Sequence, residues 1–450
     1  MEEFLELGDD VSDTTLDDII NSQKPNQCCV LIYTSGTTGK PKGAMLSHDN
    51  ITWTSAHCSR AGDMQPAEVQ QESIVSYLPL SHIAAQIYDL WTGIKWGEQV
   101  YFAEPDALKG SLINTLREVQ PTSHMGVPRV WEKIMEKLKD AFAQSGFMKK
   151  KILSWAMSLS LERNLNCSSS SDLKQFWTRL ADYLVLAKIR NALGFSSCQK
   201  HFSGAAPLNT ETLYFFLGLN ITLYEAYGMS ETTGPHCLSG PYIYRQHSCG
   251  KPVPGCRVKL MDKDTEGNGE ICFWGRTVFM GYLNMEDKTK EAFDEDGWLH
   301  SGDLGKLDKD GFLYVTGRIK DLIITAGGEN VPPIPIEDAV KKELPIVSNA
   351  MVIGDKKKFL SMLLTLKTGS KATKVSEIVA TRDQAIYQAI QEGINKVNMN
   401  ATNRVHCIQK WIVLPRDFSI SGGELGPTMK LKRLTVLEKY RNEVNSFYEE

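Results

Sequence analysis

The stretch Tyr33-Thr-Ser-Gly-Thr-Thr-Gly-Lys-Pro-Lys-Gly43 combines glycines, hydroxyl side chains and two lysines. Glycines let backbone N–H groups approach an anion closely, hydroxyls donate further hydrogen bonds, and lysine supplies compensating charge. The apolar run Cys29-Val-Leu-Ile-Tyr33 before it predicts a buried strand. The loop is therefore expected at a strand end, where open α/β sheets bind ligands. A flexible linker would lack this strand, and Pro41 stands where a Walker loop needs Ser or Thr for magnesium.

The composition is that of an ordinary folded protein. The chain has 450 residues, 42% hydrophobic and 23% charged, which is enough for a large core and two or more domains. Its 50 basic and 54 acidic residues leave a net charge of −4. No bulk field therefore favours nucleic acid or an anionic membrane.

Cysteine usage and hydropathy indicate a cytoplasmic protein. The 10 cysteines are scattered without metal-ligand spacing, as expected of free thiols in the reducing cytosol. The adjacent pair Cys28 and Cys29 is predicted to lie in the core. The acidic N-terminus shows no secretory signal, and no apolar run approaches the ~18 residues of a spanning helix. Any membrane contact is expected to be peripheral, on the endoplasmic reticulum or another membrane.

Short apolar runs alternate with amphipathic helical patterns, which predicts an α/β fold with a mostly parallel sheet. From Cys256 onward, short strands separated by Gly/Asp turns predict a small antiparallel sheet or barrel. After Gly317-Arg-Ile-Lys320 the chain again mixes strands with helices. We therefore expect a large domain over residues 1–317 and a small one over 318–450.

The segment from Met148 to Tyr183 is predicted to be mostly helical, with a polar break at Cys167-Ser-Ser-Ser-Ser171. Lys149-Lys-Lys151 and the apolar residues after it would suit a membrane surface. The alternative is an insertion helix that packs on the domain and leaves its lysine cluster in solvent. From the sequence we favour this second interpretation.

Further motifs follow the loop in a fixed order. His82 lies just after a predicted strand, at the edge where ligands are expected. The loop alone would specify only an anion, whereas the ordered set is much more specific. The other motifs are Ser203-Gly-Ala-Ala-Pro207, Tyr224-Glu-Ala-Tyr-Gly-Met-Ser-Glu-Thr-Thr-Gly234, Asp296-Gly-Trp-Leu-His-Ser-Gly-Asp-Leu-Gly305, Gly317-Arg-Ile-Lys-Asp-Leu-Ile-Ile-Thr-Ala-Gly-Gly-Glu-Asn330 and Gly426-Pro-Thr-Met-Lys-Leu-Lys-Arg433.

This set resembles the adenylate-forming superfamily of acyl-CoA synthetases, luciferases and peptide-synthetase adenylation domains. The resemblance covers essentially the whole chain. It implies a large N-terminal domain of parallel sheets plus a small barrel, followed by a small mobile α+β domain. Within this superfamily the chain resembles the bubblegum-type long-chain acyl-CoA synthetases. Four segments carry that resemblance: Tyr33–Gly43, Met45-Leu-Ser-His-Asp-Asn50, Gly327-Gly-Glu-Asn-Val-Pro-Pro-Ile-Pro-Ile-Glu337 and Ser421-Gly-Gly-Glu-Leu-Gly-Pro-Thr-Met-Lys430.

The resemblance implies an ATP-dependent ligase for a long-chain fatty acid. The fatty carboxylate would attack ATP's α-phosphate to give acyl-AMP and pyrophosphate, and the thiol of CoA would then displace AMP. Catalysis of this kind is mainly positioning and charge compensation. Ser230 would contact the α-phosphate, and Glu231 would carry Mg²⁺, which favours oxygen ligands. The β- and γ-phosphates would be held by Thr34, Ser35, Gly36, Thr37, Thr38, Gly39 and Lys42.

The nucleoside and the acyl chain have their own implied residues. Tyr227 would stack on adenine beside Gly204, Ala205 and Ala206. Asp303 would accept both ribose hydroxyls, with Arg318 nearby. Gly126-Val-Pro-Arg-Val130 and the segment from Tyr224 to Gly228 would lie near the acyl pocket, and Gly228 would also belong to the nucleotide site.

The small domain would supply Lys430, which is expected to bridge the fatty carboxylate and the α-phosphate. Its alternative is a solvated surface lysine, an interpretation that suits Lys432 better. Lys320 matches the family's hinge, and hinges need only absorb a backbone rotation. Gly327 and Gly328 would line the channel for the pantetheine arm of CoA.

Two histidines have open interpretations. His82 resembles the family's gate between the acyl and nucleotide pockets, or it caps the helix that begins near Ile83. His300 precedes Asp303 at a position where many relatives carry arginine. Its charge depends on pH, unlike that of arginine, so the electrostatics of the pocket are expected to differ.

The chain departs from the family at its N-terminus, where relatives carry well over a hundred residues before the phosphate loop. The sequence thus suggests an N-terminally truncated member, with an unpaired sheet edge. Two rival hypotheses remain. One is an adenylation domain for another carboxylic acid, and the other is an inactive homologue that only binds nucleotide or acyl chains.

Overall fold

The computed structural model describes residues 6–8, 10–34, 41–165, 172–265, 267–367, 378–379, 381–426, 429 and 431–449. Two π-helical segments, Gln86–Trp91 and Asp182–Leu186, continue neighbouring α-helices. The α-helices of the described residues are Asp13–Ser22, His48–Ala61, Ile83–Ala85, Thr92–Trp96, Leu112–Val119, Pro128–Ala143, Phe147–Leu165, Asp172–Ala181, Ala187–Ala192, Thr210–Gly218, Glu286–Lys290, Pro333–Glu343, Gln384–Met399, Arg433–Lys439 and Arg441–Ser446.

The strands form several separate sheets. In chain order they are β1 (Cys28–Thr34), β2 (Lys42–Ser47), β3 (Ser73–Ser76), β4 (Gln99–Phe102), β5 (Ser123–Gly126), β6 (Lys200–Gly204), β7 (Leu223–Met229), β8 (Gly234–Leu238), β9 (Lys251–Pro252), β10 (Arg257–Met261), β11 (Gly269–Trp274), β12 (Gly281–Tyr282), β13 (Leu299–Leu307), β14 (Leu313–Arg318), β15 (Ile323–Ile324), β16 (Asn330–Val331), β17 (Val347–Ile353), β18 (Leu360–Leu366) and β19 (Ile408–Val413).

A five-stranded mixed sheet, in the order β5-β6-β7-β8-β9, lies at the centre of the first part of the chain. Strands β5, β6 and β7 run parallel, whereas β8 and β9 are antiparallel. Every residue of β5 and β6 is buried, as expected for parallel strands that are covered on both faces. Trp131, from the Pro128–Ala143 helix, is fully buried and donates its indole N–H to the Phe202 carbonyl (3.1 Å). The helical layer is thereby fixed to the sheet.

The predicted strand before the phosphate loop exists, but the prediction that it is buried is wrong. Strand β1 is at the edge of a three-stranded sheet in the order β1-β2-β12 and pairs only with β2, in an antiparallel hairpin. Of its residues only Ile32 is buried. Cys28 and Cys29, which we expected in the core, are both exposed. Because adjacent residues of a strand point to opposite faces, this end of β1 is open to solvent on both faces.

Two further regions follow. The antiparallel sheet predicted after Cys256 is present, with four strands in the order β10-β11-β13-β14. Beyond it, β17, β18 and β19 form a sheet whose core includes the fully buried Val340, Ile390 and Ile394 from two helices. The two-stranded β15–β16 ribbon joins these regions in sequence.

The Met148–Tyr183 segment is helical as predicted, in the helices Phe147–Leu165 and Asp172–Ala181. Its predicted polar break, Cys167–Ser171, lies outside the described residues. None of the described helices combines the length and the hydropathy needed to cross a bilayer.

Candidate active site

The β1–β2 hairpin holds the two ends of the predicted phosphate loop together. Thr34 is the register partner of Lys42, and its hydroxyl donates to the Lys42 carbonyl (3.4 Å). Ser35, Gly36, Thr37, Thr38 and Gly39 lie outside the described residues. The described part of the loop is thus a hairpin end that presents Lys42.

Lys42 belongs to a cluster of three side chains. Its ammonium lies over the ring of Tyr282, 4.2 Å from the centroid, and the Tyr282 hydroxyl donates to Oε1 of Glu231 (2.7 Å). Burial lowers the pKa of Lys42, nearby Lys320 lowers it further, and Glu231 opposes them. The cluster therefore brings one cation and one carboxylate to the end of the hairpin.

The backbone of the Ser230-Glu231 turn is fixed by its neighbours. It follows β7 as a single helical turn, and the Met229 N–H donates to Oγ1 of Thr232 (2.9 Å). The Thr233 hydroxyl donates to the Thr277 carbonyl (2.7 Å). Ser230 and Glu231 are consequently held beside β2 and β12 before any ligand is present.

The Glu231 carboxylate fits the magnesium role that the resemblance implies. Its side chain is buried, Oε1 accepts from Tyr282, and Oε2 accepts no hydrogen bond from the residues that the structure describes. A hard cation favours such an oxygen, and Mg²⁺ commonly takes only one or two protein carboxylates, with water and phosphate completing its shell.

A second carboxylate, Asp303, lies where β13 pairs with β14. The Tyr227 hydroxyl donates to Oδ2 (2.8 Å), and Nε of Arg318, its register partner, forms an ion pair with Oδ1 (2.9 Å). Asp303 is only 6% exposed, and the Tyr227 ring packs on Phe273. The three predicted residues Tyr227, Asp303 and Arg318 are thus brought together in one hydrogen-bonded group.

The turn that carries Asp303 is anchored by Glu270, which the sequence analysis missed. The Gly302 N–H donates to Oε1 of Glu270 (2.9 Å), and His300 Nδ1 is 2.8 Å from Oε2. Gly302 has a positive φ of 70°, a conformation that favours glycine. The Glu-x-Cys spacing of β11 carries no recognised motif, so only the three-dimensional pairing reveals this role.

Glu270, Cys272 and His300 place three potential metal ligands within 4.8 Å of one another. Burial raises the pKa of the Cys272 thiol to about 12, and metals bind the thiolate. Glu270 and His300 are also paired to each other and to the Asp303 turn. We therefore interpret the group as a support for Asp303.

The Gly204-Ala205-Ala206 segment lies beside the Tyr227 strand. Gly204 is the register partner of Ala226, and a Cβ on Gly204 would come within 3.1 Å of the Ala226 carbonyl oxygen. At Gly228 a Cβ would lie 1.9 Å from the Gly234 oxygen, so only glycine fits. These close backbone approaches create a groove edge next to Tyr227.

His82 caps the N-terminus of the short helix that follows it, which was the second of its two interpretations. It precedes the short Ile83–Ala85 helix, and its Nδ1 accepts from the Ala84 N–H (3.2 Å). This contact accounts for its place in the fold, and its predicted role as a gate stays a prediction.

Of the site residues predicted in the C-terminal part of the chain, some are described by the structure and one is not. Lys430 lies outside the described residues. Gly327 and Gly328 form an exposed turn between β15 and β16, where the Gly328 N–H donates to the Thr325 carbonyl (2.9 Å). Lys320 lies in a helical turn just after Arg318, close enough to lower the pKa of Lys42. The predicted hinge therefore adjoins the phosphate side of the site.

The chain was compared with known proteins. The sequence pattern of the family described as AMP-binding enzyme matches residues 3–283, and that of the AMP-binding enzyme C-terminal domain matches residues 320–450. The long-chain-fatty-acid–CoA ligase ACSBG1 of Homo sapiens is 69% identical over 474 residues, which cover 100% of this chain and 65% of that protein. The ligase ACSBG2 of Xenopus laevis is 57% identical, covering 100% of this chain and 64% of that protein. The chain thus spans about 65% of the length of such relatives.

Solved structures share the fold at low identity. The ATP-bound MatB of Rhodopseudomonas palustris is 23% identical with a TM-score of 0.65, covering 93% of this chain and 69% of that one. The O-succinylbenzoate CoA synthetase of Bacillus subtilis, in complex with ATP and magnesium ion, is 22% identical with a TM-score of 0.64, covering 91% and 70%. The predicted α/β fold class and the bubblegum-type resemblance are confirmed. The described five-stranded sheet is mixed rather than wholly parallel, and the strands β10, β11, β13 and β14 after Cys256 form an open four-stranded sheet instead of a closed barrel. The chain belongs to the AMP-binding enzyme family.

Proposed function

We propose that this chain activates a long-chain fatty acid with ATP and transfers the acyl group to CoA. One observation carries the proposal. At the end of the phosphate-loop hairpin, the Lys42 ammonium lies over the Tyr282 ring and the Tyr282 hydroxyl donates to Glu231. The names of the relatives, long-chain-fatty-acid–CoA ligases, supply the substrate class.

In the first half-reaction a carboxylate oxygen of the fatty acid attacks the α-phosphorus, and the bond from phosphorus to the pyrophosphate oxygen breaks. Negative charge spreads over the phosphoryl oxygens, so positioned cations and N–H donors lower the barrier. Lys42, Thr34 and the residues 35–39 would hold the β- and γ-phosphates, and Ser230 the α-phosphate. Mg²⁺ held by Glu231 would offset charge on the phosphates.

The Tyr227–Asp303–Arg318 group would bind the nucleoside. The ribose hydroxyls would donate to the Asp303 carboxylate while Arg318 holds it in place, and adenine would lie between the Tyr227 ring and the backbone of residues 204–206. The hydrogen bond from Tyr227 and the ion pair with Arg318 hold this carboxylate in one orientation. Gly228 lets the backbone of Gly234 pass close to this strand, which holds the end of the Tyr227 strand in place beside the proposed nucleoside site.

In the second half-reaction the sulfur of CoA attacks the acyl carbonyl carbon, AMP leaves, and the thiol proton is released. We propose that residues 318–450 form a separate domain that turns about Lys320 between the half-reactions. Lys430 would then serve the first step, while Gly327 and Gly328 would line the path of the pantetheine arm in the second. His82 would separate the acyl and nucleotide pockets.

Cytoplasmic residence with peripheral membrane contact is part of this proposal, because long-chain fatty acids partition into bilayers. An adenylating enzyme for another carboxylic acid is the alternative within the same chemistry. An inactive homologue that binds nucleotide is the alternative outside it.

Thioester synthesis from radiolabelled palmitate, ATP and CoA tests the proposal. We expect product that requires both ATP and CoA, and a fall of about 10²-fold or more in Lys430→Ala. The matched control is Lys432→Ala, which removes an exposed lysine two residues away and should stay within about twofold. A chain that binds ATP but forms no acyl-AMP or thioester with any acid of a panel would contradict the enzyme proposal, and exchange only with short or aromatic acids would contradict the substrate class.

A further inference from the structure

The Phe147–Leu165 helix leaves large apolar side chains in solvent. Phe147 is 70% exposed, and Met148, Ile152 and Trp155 are also exposed. Met148, Ile152 and Trp155 are spaced by four and then three residues, so they lie on one face of the helix. This face is therefore available to an apolar partner.

The neighbouring Asp172–Ala181 helix adds to the same surface. Leu173 is 69% exposed, and Phe176 and Trp177 are exposed as well. Leu173 and Trp177 are four residues apart and share a face. Exposed apolar residues in this number exceed the scattered single ones that are normal on a protein surface.

The two sets form one patch because their rings touch. Trp155 and Trp177 meet edge to face with centroids 6.3 Å apart, and Phe176 adjoins Trp177 at 5.6 Å. Trp155, Leu159, Leu173 and Trp177 line an open groove of about 510 Å³ between the helices. We call the exposed apolar face of these two helices the aromatic patch.

Three consecutive lysines lie in the first turns of the helix that carries half of the aromatic patch, and one of them, Lys150, lines a different groove beside Phe142 and Phe215. Lys149, Lys150 and Lys151 are exposed, and the Lys151 ammonium lies 4.7 Å from the centroid of the Phe147 ring. Residues 147–190 contain 8 Lys or Arg against 3 Asp or Glu, in a chain whose net charge is −4. Two of the three acids, Glu162 and Asp182, are paired with Lys174 and Arg190. The local field is therefore positive although the protein as a whole is acidic.

We infer that the aromatic patch and its lysines dock the protein onto an anionic lipid bilayer. Helices that lie in a membrane interface combine Lys or Arg with Trp, Phe and Leu, and tryptophan rings favour the headgroup region. A purely apolar protein partner would not require the three adjacent lysines. The helix is packed on the domain and its lysines are exposed, as the sequence alone favoured: Ala156 and Ser160 are buried, and the Ser160 hydroxyl donates to the Leu217 carbonyl (3.0 Å). The structure adds the exposed aromatic face, which the sequence did not reveal.

This inference deepens the membrane contact proposed above by assigning it to a surface. Its occupant is a bilayer, so docking needs neither ATP nor CoA. Vesicle binding and thioester synthesis can therefore succeed or fail independently.

Co-sedimentation with large unilamellar vesicles tests the charge component. We expect binding to vesicles with about 30% phosphatidylserine to be about tenfold or more tighter than to phosphatidylcholine alone, and to weaken as salt rises from about 50 to about 500 mM. The triple variant Lys149→Glu/Lys150→Glu/Lys151→Glu should lose about tenfold or more in affinity. The control Lys309→Glu/Lys358→Glu/Lys396→Glu makes the same change in net charge at exposed positions elsewhere and should stay within about twofold.

The apolar component is tested separately with Trp155→Ser/Trp177→Ser and the control Tyr242→Ser/Trp274→Ser, in which both original residues are likewise exposed. Only the first pair should weaken vesicle binding, and it should reduce the quenching of tryptophan fluorescence by brominated lipid. Thermal unfolding confirms that each variant folds. Absent vesicle binding, equal losses in patch and control variants, or a dimer that patch substitutions dissociate would each overturn the inference.

Discussion

The two buried carboxylates of the candidate site, Asp303 and Glu231, are equally inaccessible but differently bonded. Each is 6% exposed. Asp303 accepts a hydrogen bond from Tyr227 on one oxygen and forms an ion pair with Arg318 through the other. Glu231 accepts from Tyr282 on one oxygen only, among the residues that the structure describes. The protein therefore fixes the first carboxylate completely and leaves the second with an oxygen to offer.

The difference matches two kinds of ligand. A ribose hydroxyl can share an oxygen that already accepts a hydrogen bond, because a carboxylate has about four lone-pair sites. A divalent cation instead needs an oxygen that is not engaged by an N–H or a cationic donor. Lys42 lies over the Tyr282 ring, so it contributes charge without occupying the Glu231 carboxylate.

The largest effect is expected from Glu231→Gln. The amide keeps the shape of the side chain and can keep an oxygen for Tyr282, but it loses the charge that would bind Mg²⁺. We expect acyl-adenylate formation to fall by about 10² to 10³-fold, with a higher magnesium requirement. Pyrophosphate exchange measured across a magnesium titration checks this. A wild-type magnesium response in the variant would show that Glu231 carries no metal.

A smaller effect, mainly on ATP binding, is expected from Asp303→Asn. The variant loses the charged partner of Arg318 and one of the acceptors for the ribose, so KM for ATP should rise by about 10 to 100-fold with a lesser change in kcat. Wild-type enzyme should discriminate against 2′-deoxy-ATP, and the variant should lose most of that discrimination. If the variant discriminates as well as the wild type, the ribose assignment is wrong.

Tyr282→Phe isolates the single hydrogen bond of Glu231. The ring under Lys42 remains while the donor to Oε1 is lost, and one hydrogen bond to a charged group contributes ~1.5–3 kcal/mol. We expect a fall of about tenfold in kcat/KM. Tyr282→Leu, which also removes the ring, is the comparison variant, and it should lower the rate further. Equal rates in both variants would mean that the hydroxyl alone matters.

The sequence predicted some of the residues around the two carboxylates and missed others. Glu231, Asp303, Arg318 and Tyr227 lie in recognisable motifs, and the structure brings the last three into contact. Tyr282 was missed because it follows an ordinary apolar run and reaches Glu231 only through the pairing of β12 with β2.

Burial was harder to predict than secondary structure. The apolar run of β1 forms a strand, as its residues indicate, but burial depends on what covers a strand. β1 pairs on one side only, so Cys28 and Cys29 are exposed. Neither propensity nor periodicity carries that information, because it depends on segments distant in sequence.

A third buried carboxylate, Asp89, extends the comparison from binding to stability and should show the smallest effect. Among the side chains that the structure describes, only the Ser76 hydroxyl donates to its Oδ2 (2.7 Å). Burial raises the pKa of Asp89 to about 7 from the 3.8 of an exposed aspartate. The folded state therefore binds a proton more tightly than the unfolded chain does. The stability contributed by the protonated form is present below about pH 4 and is lost as the pH rises towards 7. Asp89→Asn removes this dependence, so the Tm of the variant relative to wild type should rise by a few degrees (about 2–4 °C) between pH 5 and pH 8. Thermal unfolding at both pH values measures it, and a constant Tm difference would show that the fold does not raise the pKa of Asp89.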